Sequence, residues 1–192
     1  MNSKETKSLL LQKLYEPYKK CIACPLGMLG RKTVVFGNGN SDAKLMIIGE
    51  GPGKDEDEQG IPFVGRSGKL LTKVLQLLDI DRKEIFITNV VKCRPPENRK
   101  PTPLESTTCK DILLFKQIKI IQPKVICTLG ATALESLLEK PFKITAIHGK
   151  PIPFNSIIVI PTYHPSYILR APENLNAFIE DISCAIQLAN NK

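Results

Sequence analysis

Leu45-Met46-Ile47-Ile48 runs straight into Gly49-Glu50-Gly51-Pro52-Gly53. Apolar residues in succession, with no polar alternation, read as a strand buried on both faces; the glycines and proline behind them read as a tight turn at its carboxyl end. A strand covered on both sides needs helices above and below it. The pattern repeats outward. Residues 85–91, 125–129 and 157–160 are further apolar strands. Between them lie stretches of helical spacing: residues 67–78, with Leu70, Leu71, Val74, Leu75 and Leu78 on one face and Ser67 as candidate N-cap, then 104–122, 131–138 and 175–189. Residues 4–20 predict another helix, failing around Pro17, and Gly37-Asn38-Gly39-Asn40 reads as a turn. The fold class is therefore α/β, a three-layer α/β/α arrangement around a central four-stranded, mainly parallel sheet. No repeat or long linker divides it, so one domain over residues 1–192 is expected.

In such sheets ligands bind outside the carboxyl ends of the strands. The distinctive loops fall there: residues 50–53, 92–103 and 162–170, the second holding Pro95, Pro96, Pro101 and Pro103 beside Arg94, Arg99 and Lys100. The composition is that of a globular chain, 42% hydrophobic and 24% charged, which excludes a disordered one. With 27 Lys and Arg against 19 Asp and Glu, the net charge of +8 favours a polyanionic partner. No apolar run approaches the roughly 20 residues that cross a bilayer, and the N-terminus lacks a signal-peptide pattern. A soluble, intracellular chain with no membrane partner is expected, cytoplasmic unless nucleus or organelle applies.

In a reducing compartment six cysteines read as thiols or metal ligands rather than disulfides. Cys21-Ile22-Ala23-Cys24 presents two thiolates from one loop, and Cys93 and Cys109 flank the proline-rich segment. A redox pair would sit at a strand-to-helix junction, whereas this one follows a helix and precedes Pro25. Four thiolates suit zinc and an iron–sulfur cluster equally by ligand type. Cys127, in a strand, and Cys184, in the last helix, read as small packing residues. The loop after the first strand fails both the phosphate-loop and the dinucleotide spacing, which leaves a glycine-permitted turn whose amides can face an anion. Phe63 beside glycines is a core plug or a platform for a base. Asn89, at a strand end, needs partners or a ligand. His164 lies at a proline-rich strand exit, and His148 in a turn is expected to be solvated.

Together these residues resemble the family 4 uracil-DNA glycosylases, the iron–sulfur branch of the uracil-DNA glycosylase superfamily. The ordered elements are Gly49-Glu50-Gly51-Pro52-Gly53, Glu56-Asp57, Gly60 with Pro62-Phe63-Val64-Gly65, Thr88-Asn89-Val90-Val91-Lys92-Cys93-Arg94-Pro95-Pro96, Asn98-Arg99 with Pro101, and His164-Pro165-Ser166-Tyr167. The resemblance, not the spacing, implies a [4Fe–4S] cluster on Cys21, Cys24, Cys93 and Cys109. It implies that Phe63 stacks on flipped-out uracil, that Asn89 reads the O4 and N3 edge and rejects cytosine, and that Glu56 crowds the 5-position against thymine. His164 would donate to O2 as charge builds on the departing base. Glu50 joins the catalytic set through the backbone after it, residues such as Gly51 and Gly53 bordering the base.

The expected activity is monofunctional: uracil is extruded from single- or double-stranded DNA and its N-glycosidic bond hydrolysed, leaving an abasic site for base excision repair. A monomer is expected to do this. The loop at 92–100 and Arg170 would grip phosphates through Arg94, Arg99 and Lys100. Within Tyr167-Ile168-Leu169-Arg170, either Ile168 or Leu169 would wedge into the vacated stack. The better-known branch carries an aspartate where Gly51 stands, so no general base is assigned; nor is a Schiff-base lysine, and the histidine-containing insert of covalent DNA-trapping relatives is missing near residues 94–103. Two other readings compete: a zinc-stabilised nucleic-acid-binding module, which leaves Asn89, Phe63 and His164 without a purpose, and a nucleotide hydrolase, disfavoured by the failed phosphate-loop spacing.

Overall fold

The computed structural model describes residues 3–191. In chain order it contains α1 (Ser3–Tyr15), β1 (Asn38–Gly39), β2 (Leu45–Gly49), α2 (Lys54–Gln59), α3 (Arg66–Leu77), β3 (Phe86–Asn89), α4 (Pro103–Cys109), α5 (Phe115–Ile121), β4 (Val125–Leu129), α6 (Ala131–Leu138), α7 (Ile144–Ile147), β5 (Ile152–Phe154), β6 (Ile157–Thr162), α8 (Pro165–Ile168) and α9 (Leu175–Asn190). The class is α/β, as the sequence predicts. Among the described residues the sheet has six strands rather than four, in the order β1-β3-β2-β4-β6-β5. The inner four are parallel, with Gly49 level with Asn89 and Leu129 level with Thr162. Both additions are antiparallel edges, β1 falling in the segment read as a turn. A strand of two or three residues is too short for periodicity to reveal.

Alternation along β2 sets the two faces. Met46 and Ile48 pack with Leu113, Leu114, Ile118, Leu134 and Leu137, in the layer of α5 and α6. Leu45 and Ile47 pack with Leu71, Leu75, Phe178 and Ile182 of α3 and α9. The predicted helix over 104–122 is one helical run wound as a wide π turn over Lys110–Leu114, immediately after Cys109; such turns recur at functional sites. Residue 67 is not the N-cap of α3: Gly65, extended at φ −71 and ψ −167, takes that place, so Ser67 is the second residue of the helix. No helix among the described residues is long and apolar enough to cross a membrane.

Candidate active site at the carboxyl ends of the strands

The four parallel strands end around one cleft of about 420 Å³. Its walls include Glu50, Gly51 and Gly53 after β2, Asn89 at the end of β3, Gly130 and Thr132 after β4, and His164, Tyr167 and Arg170 after β6. Glu56 of α2 and Phe63 of the α2–α3 connection close it. The β4–α6 wall is not among the loops that the sequence marks out.

Asn89 is 1% exposed, and its Oδ1 has no hydrogen-bond partner. An orphaned buried acceptor costs roughly 1–3 kcal/mol unless a ligand answers it. Gly49 makes room for it. A Cβ at residue 49 would lie 2.5 Å from Asn89 Oδ1 and 2.8 Å from Phe63 Cε2, so only glycine lets the amide and the ring meet above the strand end. Phe63 itself has a left-handed backbone, φ 54, a conformation that bulky residues rarely adopt.

His164 is oriented from behind. Its Nδ1 accepts from Ser166 N at 3.1 Å and faces Ser166 Oγ at 2.7 Å. A nitrogen that accepts a backbone N–H carries no proton, so the ring's own N–H is on Nε2. Burial, then the charge of Arg170, lowers the imidazole pKa to about 4 against the opposing pull of Glu56. The ring is therefore neutral at physiological pH and a donor through Nε2. It packs on Gly130, whose φ of +88 requires glycine and where a Cβ would stand 3.1 Å from that of His164. The Phe63 and His164 rings are 6.1 Å apart between centroids.

Glu56 lines the cleft, as a residue that crowds the base must, and it also has a part that the sequence does not reveal. Its Oε2 accepts from Gly53 N at 3.0 Å, and its Oε1 from Val64 N at 2.9 Å and Gly65 N at 2.8 Å. Both oxygens are engaged with backbone, and the side chain ties the turn after β2 to the Phe63 loop. On the opposite side of that loop, Arg82 donates from Nη2 to Pro62 O and from Nη1 to Phe63 O, each at 2.7 Å. Nothing in the spacing of residue 82 signals this. At residue 51 a Cβ would stand 2.8 Å from Val91 Cγ2, so the packing resists a side chain there.

The candidate DNA-facing residues separate. Ile168 is 2% exposed and belongs to the core, whereas Leu169 is 43% exposed, which leaves Leu169 as the only wedge of the two that can reach a partner. Tyr167 is exposed and stacks on Tyr163 at 5.2 Å. Arg170 is exposed at the cleft. Arg94 Nε donates to Asn98 Oδ1. Arg99 is forked onto Glu105 at 2.7 and 2.8 Å, and Lys100 lies 3.4 Å from Glu135, so two expected phosphate contacts already have carboxylate partners. Lys92 is fully buried, donating to Thr88 Oγ1 and Asn89 O at 2.6 Å, and cannot reach a phosphate. His148 is not simply solvated: its Nδ1 lies 3.0 Å from the buried Asp181, and its ring packs on Tyr163.

Cys21, Cys24, Cys93 and Cys109 are all free and lie near enough for the charge of each of Cys21 and Cys24 to act on both Cys93 and Cys109. Among the described residues, no three His, Cys, Asp or Glu side chains form a ready-made metal-binding group. The donor chemistry nevertheless fits a thiophilic centre. Burial pushes the Cys93 thiol up to about 12 and the Cys109 thiol up to about 11, so thiolates here need a cation to replace the proton. Lys92 N donates to Cys109 Sγ at 3.3 Å, the kind of hydrogen bond that orients a ligand. The turn after Cys24 closes tightly because residue 27 is glycine; a Cβ there would lie 2.7 Å from Ile22 Cα. Cys127 is fully buried in β4, as expected, and Cys184 is half-buried in α9.

The sequence-family model described as Uracil DNA glycosylase superfamily matches residues 36–184. The Type-4 uracil-DNA glycosylase of Thermotoga maritima is 49% identical over 184 residues, 94% of this chain and 95% of that protein. The Type-4 enzyme of Sulfurisphaera tokodaii is 42% identical over 180 residues, 89% of this chain and 80% of that one. The similarity to the Type-5 uracil-DNA glycosylase of Pyrobaculum aerophilum is lower, 30% over 155 residues, covering 72% of this chain and 66% of that protein.

Proposed function

The chain belongs to the uracil DNA glycosylase superfamily, on its type-4 branch, and removes uracil from DNA by hydrolysing the N-glycosidic bond; we propose that Asn89, Phe63 and His164 do this in the cleft at the strand ends. The observation that carries the assignment is the unpartnered, buried Asn89 Oδ1 beside an aromatic ring that only Gly49 admits. Uracil presents N3–H, a donor, to that oxygen. Cytosine presents a lone pair there, and two acceptors facing each other in a buried site are rejected. Phe63 supplies the stacking face for the extruded base.

Cleavage without a strong nucleophile runs through an oxocarbenium-like sugar, with negative charge developing on the departing uracil. The neutral His164 donates its Nε2–H to O2. The backbone N–H after Glu50 completes the anion site, and nearby Arg170 adds positive potential. A donor of this kind contributes roughly 3–4 kcal/mol to the transition state. Water then adds to the sugar, and the products are free uracil and an abasic site, which enters base excision repair. Glu56 holds the two loops that border the base, and held so at the cleft wall it crowds the 5-position against thymine's methyl.

Cys21, Cys24, Cys93 and Cys109 would hold a [4Fe–4S] cluster, as the type-4 resemblance implies. When bound, it supplies a structural tie between the N-terminal loop and the proline-rich loop. Arg170, Arg94 and the exposed Arg66, Lys69 and Lys73 of α3, which have no carboxylate partner among the described residues, face the phosphates, and Leu169 fills the vacated stack. The chain works as a monomer, in one glycosylase domain over residues 1–192, on single- or double-stranded DNA. Incubation with a single-uracil oligonucleotide, then alkali to cut abasic sites, tests the reading; intact strands after treatment with metal-replete protein would sink it.

A further inference from the structure

We propose that Arg82 is a positioning residue for base recognition: its guanidinium holds the Phe63 carbonyl and so keeps the ring over Gly49 and beside Asn89. The inference rests on the role given to Phe63 above.

The backbone at Phe63 is strained, φ 54, and strain of this kind persists only where the surroundings over-determine it. Here the loop is gripped from both sides. Its amides at Val64 and Gly65 are held by the Glu56 carboxylate. Its carbonyls at Pro62 and Phe63 are held by Arg82, which also donates from Nη1 to Thr72 Oγ1 at 2.8 Å. Thr72 in turn donates to Gly68 O at 2.9 Å, and at Gly68 a Cβ would stand 2.6 Å from Phe63 Cα. The anion takes the N–H groups and the cation takes the C=O groups of one short segment, which leaves its peptide planes little freedom to turn.

Arg82 does not border the cleft. It lies in the α3–β3 connection, in a shallow depression with Thr72, Gln76, Asp79 and Ile80, none of which lines the uracil site. Any effect on uracil must therefore pass through the loop it holds. The planar fork matters more than the charge alone: Nη1 and Nη2 reach adjacent carbonyls together, a geometry that a lysine ammonium does not reproduce.

The test uses Arg82→Met and Arg82→Lys in the metal-loaded full chain, at a temperature where circular dichroism finds each folded. Inhibition by free uracil, single-turnover base release and binding of an oligonucleotide with an abasic-site analogue are measured. For Arg82→Met the uracil inhibition constant should rise about 10-fold and base release slow by about as much, the scale of one lost base–aromatic stack. Binding of the abasic analogue, which has no base, should stay within about 2-fold, and Arg82→Lys should fall between the two. On a Phe63→Ala background Arg82→Met should add almost nothing, because the ring it positions is gone.

Unchanged uracil inhibition and base release in both variants, with only the melting temperature lowered, overturn the proposal. Full multiplicative losses on the Phe63→Ala background do so as well. If Arg82→Met does not fold, Arg82→Lys decides by the same measurements. Failure of the underlying glycosylase reading would look different, since the wild-type chain itself would release no uracil.

Discussion

Gly49→Ala is the smallest change that should break the site. The added Cβ would lie 2.5 Å from Asn89 Oδ1 and 2.8 Å from Phe63 Cε2. Comfortable non-bonded contacts lie at about 3.5 Å or beyond, so each group must retreat by roughly 1 Å. Neither has anywhere easy to go: Asn89 is 1% exposed and Phe63 6% exposed. Overpacking of this kind costs about 1–3 kcal/mol, which for a chain of this size lowers the melting temperature by roughly 2–12 °C. The chemistry should suffer more, because a 1 Å misplacement of a positioning group costs on the order of 100-fold in rate. The assay is kcat/KM on a single-uracil oligonucleotide at 25 °C, with folding checked by near-ultraviolet circular dichroism. Affinity for an oligonucleotide with an abasic-site analogue should be little changed, since the backbone contacts are elsewhere. A folded Gly49→Ala enzyme with wild-type kcat/KM would refute the reasoning that the cradle over residue 49 holds the base.

His164 has a folded pKa of about 4 against an ordinary 6.5, so the unfolded chain takes up its proton first as pH falls. Its contribution to stability is whole above pH 6.5 and should be lost between 6.5 and about 4, amounting to about 3 kcal/mol at 1.4 kcal/mol per unit; identical urea midpoints against pH in wild type and His164→Gln would count against it. Asn89→Ala should slow uracil release by on the order of 100-fold with abasic-analogue binding retained, and equal losses in both would point to collapse of the strand end instead. Glu56→Gln replaces an anion that accepts from three amides, and should lower unfolding stability by about 2–3 kcal/mol; an unmoved denaturation midpoint argues against the two-loop tie. Wild-type protein should be brown with broad visible absorbance, Cys93→Ser should lose that colour and melt earlier, and Cys127→Ser should keep it. A colourless wild type binding zinc would overturn the cluster assignment.

Much of this molecule is written locally. The run at residues 45–48 has to be a doubly buried strand because no polar residue interrupts it, and the helices follow from the spacing of their apolar faces. The four inner strands, the layers, and the end of the sheet where the cleft lies all come from such short-range patterns. The candidate residues at that end were legible because glycine, asparagine, phenylalanine and histidine at strand exits are costly without a purpose. Edge strands of two and three residues carry no such pattern.

Direction and partnership are set by the three-dimensional packing alone. Ile168 and Leu169 are adjacent and equally apolar, yet the setting of α8 buries one and exposes the other. Arg99 and Lys100 read as free cations until Glu105 and Glu135 meet them. Glu56 shows no sign in sequence of the three amides that surround its carboxylate, and Arg82 carries no signal until the chain returns its guanidinium to carbonyls 19 and 20 residues earlier. The physical reason is common to all of these. A hydrophobic period depends on neighbours along the chain and is visible in sequence, whereas a hydrogen bond or a buried face depends on which groups folding brings within about 3 Å, and sequence separation holds no record of that.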